Sequence, residues 1–376
     1  MRVNRKTRAR GFSMIELMVA MAVGLIVVGA ATQLFQSAMK STMLVTEQAE
    51  MQQNVRTALN LVARDVSMAG SGLPPGGLAL PYGVNATASH YACAPGPLCY
   101  LNTVNYPTGR IGNVNVSNYM YGIIPGPLDG MQVGGPATIP ATNVTPDAIT
   151  SVYVDYSFPL SQYTIAFQDV NGTSITATQP PAPPAGFPAI VSPTGIVVGD
   201  LILLSNSNGS AVGEVSAVAA TAGGGGTITF NDGDPLNINQ SGAANGNIKY
   251  ITSLNANVVT VAYRVLAVTY YLQVPAVAGQ TPRLMRQVNG QVAVPVADNI
   301  IGLNVTYDLC NSSIAGTCAG VADPIHNVPS FSPNQIYKIN VQMMGQSVLT
   351  LGGKSQSMVL ATSVSARNLS FKNRYQ

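Results

Sequence analysis

Hydrophobic and polar positions divide the chain into one long helical stretch and a longer β-patterned one. From Leu17 to Met39 no residue is charged. That run suffices for a transmembrane helix, which needs about 20 apolar residues to cross ~30 Å. No proline interrupts residues 1–73, and the helical pattern continues past the uncharged run. Val55, Leu59, Val62, Val66 and Ala69 recur at steps of four and three, one face of an amphipathic helix. Gln52, Gln53, Asn54, Arg56, Asn60 and Arg64 occupy its other faces. Gly70, Gly72, Pro74 and Pro75 stop it. The pattern thus predicts a single helix over 12–70, with a transmembrane part about 17–39 and a length of roughly 87 Å.

Residues 71–147 are rich in Gly, Pro, Asn and Tyr and predict loops with short strands. From Ala148 onward the alternation is β. It predicts strands at Ala148–Tyr156, Asp200–Ser205, Ala211–Val218, Gly226–Phe230, Val258–Val274, Arg283–Val288, Ile300–Asp308, Gln335–Met344 and Met358–Leu369. Turn-like stretches separate the second to fourth of these, which suits a meander. Gln179–Pro193, dense in Pro and Ala, reads as an exposed insertion. The fold class is α+β: one long N-terminal helix backing a large, mainly antiparallel β head over 71–376.

Composition fits a β-rich domain outside the cytoplasm. Of 376 residues only 9% are charged while 47% are hydrophobic, against the profile of a disordered chain. The net charge of +3 is unevenly spread. Arg2, Arg5, Lys6, Arg8 and Arg10 all precede Gly11, and without them the 15 acids outnumber the bases. The remainder has no Lys/Arg cluster of the kind that neutralises phosphates, which argues against nucleic-acid binding. Five cations before the apolar run and Lys40 just after it keep the N-terminus cytoplasmic, with the head on the far side.

Candidate chemistry is sparse. Cys93, Cys99, Cys310 and Cys318 form two locally spaced pairs, which read as two short-loop disulfides, as a metal site or as free thiols. Their spacing fits no common zinc finger, and the two histidines, His90 and His326, lie in no nucleophile or metal motif. Gly223–Gly226 lacks the Lys-Ser/Thr of a phosphate loop and reads as a turn. Asn231-Asp232-Gly233-Asp234 resembles part of a calcium loop without its spaced ligands or distal Glu, and also reads as a turn. Tyr119–Tyr121 and Tyr153–Tyr156 read as strand-face packing. Neither a catalytic set nor a cofactor motif emerges, so the chain is read as a non-enzyme without metal or cofactor.

The informative string is Arg10-Gly11-Phe12-Ser13-Met14-Ile15-Glu16-Leu17. It resembles the leader and cleavage motif of prepilins: a short basic leader, a Gly, then Phe with a Glu at the fifth mature position. The resemblance implies that a membrane-embedded prepilin peptidase cuts between Gly11 and Phe12, removing leader 1–11, and that Phe12 is then N-methylated. Gly11 suits such a cut because no Cβ hinders approach to the backbone. Glu16 borders an apolar span where a carboxylate is costly unless paired. Cleavage would create its partner, the α-amine of Phe12 on an adjacent subunit, and a buried ion pair of this kind sets register. An ordinary secretory signal cut near Gly29-Ala30-Ala31, or a plain anchor, explains neither the Gly-Phe junction nor the unbroken helix.

Further pieces are similar to PilW-type minor type IV pilins. They include Val197–Leu204 with Gly199-Asp200, Gly213–Val218, Gly233–Asn237, Tyr263-Arg264-Val265, Leu284-Met285-Arg286, Val296–Tyr307 and Ser365–Leu369. The chain lacks the helix-breaking Pro of many major pilins, Gly24 and Gly29 being the local weak points. The resemblance implies a single-pass inner-membrane protein with a periplasmic head that later joins a pilus. Implied partners are the prepilin peptidase, other minor pilins, the major pilin and the inner-membrane assembly platform. Its bulk suits a tip or priming subunit better than a repeating one. A J-type pseudopilin of type II secretion and a pilus-tip adhesin are the alternatives.

Overall fold

The computed structural model describes residues 12–74, 77–87, 89, 91, 119–126, 146–255, 257–273, 282–309, 336–351, 354–365 and 368–369. Helix α1 spans Met14–Met68 without a break. It ends as the glycines predict. Gly70 takes a φ of 78°, and the Ser71 N–H turns back to the Met68 carbonyl at 2.9 Å.

Among the described residues, sixteen strands and α1 make a mainly antiparallel α+β architecture. In chain order they open with β1 (Leu78–Ala79), β2 (Tyr119–Met120), β3 (Ile123–Gly126), β4 (Ala148–Asp155), β5 (Thr164–Phe167) and β6 (Ser174–Thr178). Then come β7 (Leu201–Asn206), β8 (Gly209–Glu214), β9 (Ala217–Ala220), β10 (Gly226–Thr229) and β11 (Val261–Gln273). The last are β12 (Arg283–Val288), β13 (Val294–Asp298), β14 (Ile300–Leu309), β15 (Ile336–Leu351) and β16 (Lys354–Ser365).

The chain forms two compact units. The first takes the described residues up to Glu50 together with Ser347–Gln356. Here the apolar side chains of α1, among them Leu17, Leu25, Ile26 and Phe35, stand exposed. The Gln48 amide donates to the Gln356 side-chain carbonyl, and the Gln356 N–H donates to Ser347 Oγ at 2.9 Å.

The second unit takes Met51–Gln346 and the described residues from Ser357. The predicted stripe of α1 is its inner face: Val55, Leu59, Val62, Val66 and Ala69 are buried, joined by Met51 and Ala58. The six polar residues assigned to the other faces are exposed. This half-helix packs on Ile149, Tyr153, Val268, Tyr270 and Leu272, and on Leu303, Val305 and Tyr307. The central sheet has the order β13-β12-β11-β4-β3, with β7 also on β11 and β8 on β7. Its opposite face carries Val152, Val154, Val265 and Ala267 against Leu78, Leu80, Met120 and Ile238. A four-stranded sheet, β5-β6-β10-β9, closes a third core around Ile175, Ile202, Ile228 and Phe230. The third sheet is β14-β15-β16.

The expected meander through Asp200, Ala211 and Gly226 is not what forms. β7 and β8 make a hairpin in the central sheet, whereas β10 pairs with β9 in the four-stranded one. The predicted strand Ala211–Val218 therefore splits. Val215 donates its N–H to the Asp200 carbonyl, but Ser216 donates to the Thr229 carbonyl, so the ladder partner changes between neighbouring residues. Apolar alternation runs straight through that junction and does not reveal it. β5, β6 and β13 were not among the expected strands. The first two are short Thr- and Ser-bearing segments, and Pro295 in β13 argues against a strand except at a sheet edge, where β13 lies.

Two more expectations need correction. The Gln179–Pro193 segment is exposed over 181–186, but Ile190 is fully buried and Phe187 packs on the third core. The last strand ends at Ser365 rather than Leu369, which lies in a turn and packs on the first core.

Candidate functional site

The N-terminal segment is built from a local motif. Ser13 precedes the first turn of α1, and its Oγ accepts the Ile15 N–H at 3.4 Å. In return the Ser13 N–H donates to the Glu16 carboxylate at 3.0 Å. This Ser-x-x-Glu reciprocity is a capping box, and it satisfies donors that a helix start leaves unpaired. Glu16 thus has a local partner that the reading of its charge alone overlooked. The cap engages Oε2, and a carboxylate offers about four lone-pair sites, so acceptor capacity remains for a second cation. Phe12 lies just outside the helix and is 88% exposed. Gly11 lies outside the described residues.

Three threonines farther along this half are satisfied within about a turn. Thr32 Oγ1 donates to the carbonyls of Val28 and Gly29 at 3.0 and 2.8 Å, and Thr42 and Thr46 bond four residues back. Among the described residues one helix, Met14–Met68, is long and apolar enough to cross a membrane. Together with the exposure of Ile15, Leu17, Met18, Leu25 and Ile26, this is consistent with membrane anchoring.

In the head, the segments singled out by sequence land on buried polar clusters and turns. Arg286 meets Asp65 of α1 at 3.0 Å. Tyr153 and Tyr270 donate their hydroxyls to the same carboxylate at 3.1 and 2.6 Å. Burial, and then the Asp65 charge, hold both phenols far above their ordinary range. Burial works against the charge of Arg286, but Asp65 and Tyr270 together outweigh it and raise its pKa. Tyr153 thus packs as a strand-face residue with a polar task added, whereas Tyr156 stays exposed.

Arg264 clamps a second cluster. Its guanidinium lies 2.6 Å from Asp155 and 3.9 Å from Asp200, and donates to the Gly195 carbonyl at 3.0 Å. Gly199, beside Asp200, has a φ of 87°, a conformation that favours glycine. The third cluster joins two of the quoted motifs. Glu214 and Asp234 are buried against each other, and burial with the Asp234 charge pushes the Glu214 carboxyl up to about 9. Asp234 accepts the N–H groups of Ile238 and Asn239 at 2.8 and 2.7 Å, and Glu214 accepts that of Leu236 at 3.0 Å. Asp232 is taken by Ser241 through N–H and Oγ. The Asn231–Asp234 stretch is thus a turn held by its own hydrogen bonds. Gly223 and Gly224 likewise form a turn, with φ of 70° and 74°.

Sequence reasoning missed Asp65, the Glu214–Asp234 contact and Asn289. Asp65 did leave a signal, a charge inside the apolar stripe of Val62, Val66 and Ala69. Asn289 left none. It sits where β7 and β12 succeed each other along one edge of β11, and supplies the missing ladder bonds. Its side chain accepts the Ala267 N–H at 2.8 Å and its own N–H donates to the Ala267 carbonyl at 2.8 Å.

Cys93, Cys99, Cys310, Cys318, His90 and His326 lie outside the described residues. Among the described residues, no three His, Cys, Asp or Glu side chains gather as a metal-binding group.

Residues 6–32 match the family model described as the prokaryotic N-terminal methylation motif. No curated protein and no solved structure matches the chain. The match brackets the Gly11–Glu16 string and supports a type IV pilin-like or pseudopilin-like protein, a structural subunit rather than an enzyme.

Proposed function

We propose that the chain is a minor type IV pilin that helps initiate pilus assembly at the filament tip. The observation that carries the reading is the methylation motif at residues 6–32, set on an apolar helix that continues into a head. On this reading prepilin peptidase removes residues 1–11 on the cytoplasmic side and Phe12 is N-methylated. Other minor pilins, the major pilin and the inner-membrane assembly platform receive the product. The head is periplasmic before extraction into the pilus.

Glu16 acts in assembly through its spare acceptor capacity. In a filament core its charge is costly unless paired. The new α-amine of Phe12 on a neighbouring subunit supplies the counter-charge, while the Ser13 cap keeps the carboxylate at the start of the helix. The pair neutralises both groups and sets the axial offset. A head of this size crowds a helical lattice, whereas a tip tolerates bulk.

Intact mass of the membrane form tests the processing. The expected species begins at a methylated Phe12; a chain that keeps Met1, or starts beyond residue 20, overturns the assignment. Glu16→Ala is expected to lose its leader normally but to enter filaments at least tenfold less often. Unimpaired incorporation would sink the ion-pair mechanism.

A further inference from the structure

Every sheet in the head ends in edge strands, and nearly all of them are guarded. β3 is four residues long and contains Pro125; β13 contains Pro295 and ends on Asp298. β5 and β9 have four residues each. β8 has the Glu214 N–H at its end taken by Asn239. The free side of β14 is occupied: the Asp147 N–H donates to the Leu303 carbonyl at 2.8 Å, and its carboxylate accepts the Val305 N–H at 2.7 Å. Short length, proline, charge and local cover are the usual ways in which an edge is kept from pairing with another chain.

Beyond Lys354 at its start, β16 has none of them among the described residues. It pairs with β15 alone among the described strands. From Ser355 to Ser365 it carries no charge, no proline and no glycine. Among the described residues, the core beneath it is also thinly covered. Leu303, Val305, Ile339 and Val341 of the adjoining strands are buried, whereas Met358, Leu360 and Val364 are only partly covered. One more strand with apolar side chains at alternate positions would complete the ladder and that cover together.

We propose that the Ser357–Ser365 edge accepts an extended, uncharged β-strand from a different pilin-like subunit of the same assembly. This rests on the proposed pilin function, which brings other heads alongside. A second copy of the chain is a poorer fit. Head-to-tail repetition by strand pairing needs two complementary edges on one chain, and the other described edges are short, proline-bearing or occupied. Pairing β16 with its own copy closes a two-fold dimer that cannot be extended along a filament.

The test uses the full chain in filament-producing cells, with a photo-crosslinking residue at Ala361, on the exposed face of β16. The expected product is an adduct with a pilin-like subunit of a different mass. The pair Val359→Lys and Ala361→Lys, placed at exposed positions as edge guards, is expected to weaken co-purification of that subunit at least tenfold. Its leader removal and its melting temperature should be unchanged. A crosslinker at Val294, on the guarded β13, should give no adduct. An adduct of twice the chain mass, equal adducts at both positions, or full co-purification by the lysine pair overturns strand addition while leaving the pilin reading intact. A chain that retains Met1 overturns the pilin reading, and this proposal with it.

Discussion

The apolar start of α1 and its buried end place their polar groups differently. Over residues 13–46 the hydrogen bonds of the polar side chains Ser13, Glu16, Thr32, Thr42 and Thr46 close within four residues. Between Met51 and Met68 the buried polar residue is Asp65, and its partners Tyr153, Tyr270 and Arg286 are 88, 205 and 221 residues away in sequence. A helix surrounded by lipid has no water to satisfy a stray donor or acceptor, so it must do so itself. A helix packed in a head can delegate that task to distant strands. It then depends on the whole head being folded.

That contrast can be broken experimentally. Asp65→Ala removes one side of a buried ion pair and strands Arg286 and two tyrosine hydroxyls. Denaturant titration of the detergent-solubilised chain is expected to show a loss of about 3–5 kcal/mol. Ile26→Arg places a charge amid the exposed apolar half. It should weaken membrane partitioning by about 2.5–3.5 kcal/mol and leave the unfolding midpoint of the head untouched. A shift in that midpoint would mean that the two halves do not separate as described.

Smaller effects sharpen the picture within the head. Asn289→Ala unpairs ladder groups on β11 and should cost about 1–3 kcal/mol in the same titration. Glu214 gives a pH signature. Its folded pKa, about 9, stands above its ordinary value of 4.5, so its contribution is fully present below about pH 4.5 and is lost as pH rises through 9. Glu214→Gln keeps a neutral donor toward Asp234 and should raise Tm at pH 8 by about 2–4 °C. At pH 4 the change should vanish; an equal gain at both pH values would count against a protonated Glu214.

Legibility followed the same division. The stripe from Val55 to Ala69, the stop at Gly70 and the uncharged run from Leu17 were readable because each depends on residues within a turn or two. The long strands β4, β11 and β12 were readable from alternation. What escaped were features set by another part of the chain. The sheet change at Val215–Ser216 depends on Thr229, and Asn289 owes its role to the gap between β7 and β12. The quoted head motifs contain charges whose partners sequence could not state. Asp200, Glu214 and Asp234 are buried and Arg264 and Arg286 half-buried, charges that a fold tolerates only with matched partners.

The sequence by itself determined the N-terminal signal, the apolar helix and its amphipathic continuation. Those properties are local: a cap closes over three residues, a stripe repeats every three or four, and a span needs only length without charge. Only the tertiary structure decided that Asp65 ties helix to sheet, that two carboxyls at 214 and 234 share a buried site, and that β16 is left as an edge among the described strands. Each of these depends on which strand lies beside which. That is fixed by packing of the whole head and leaves no mark within any single window of the chain.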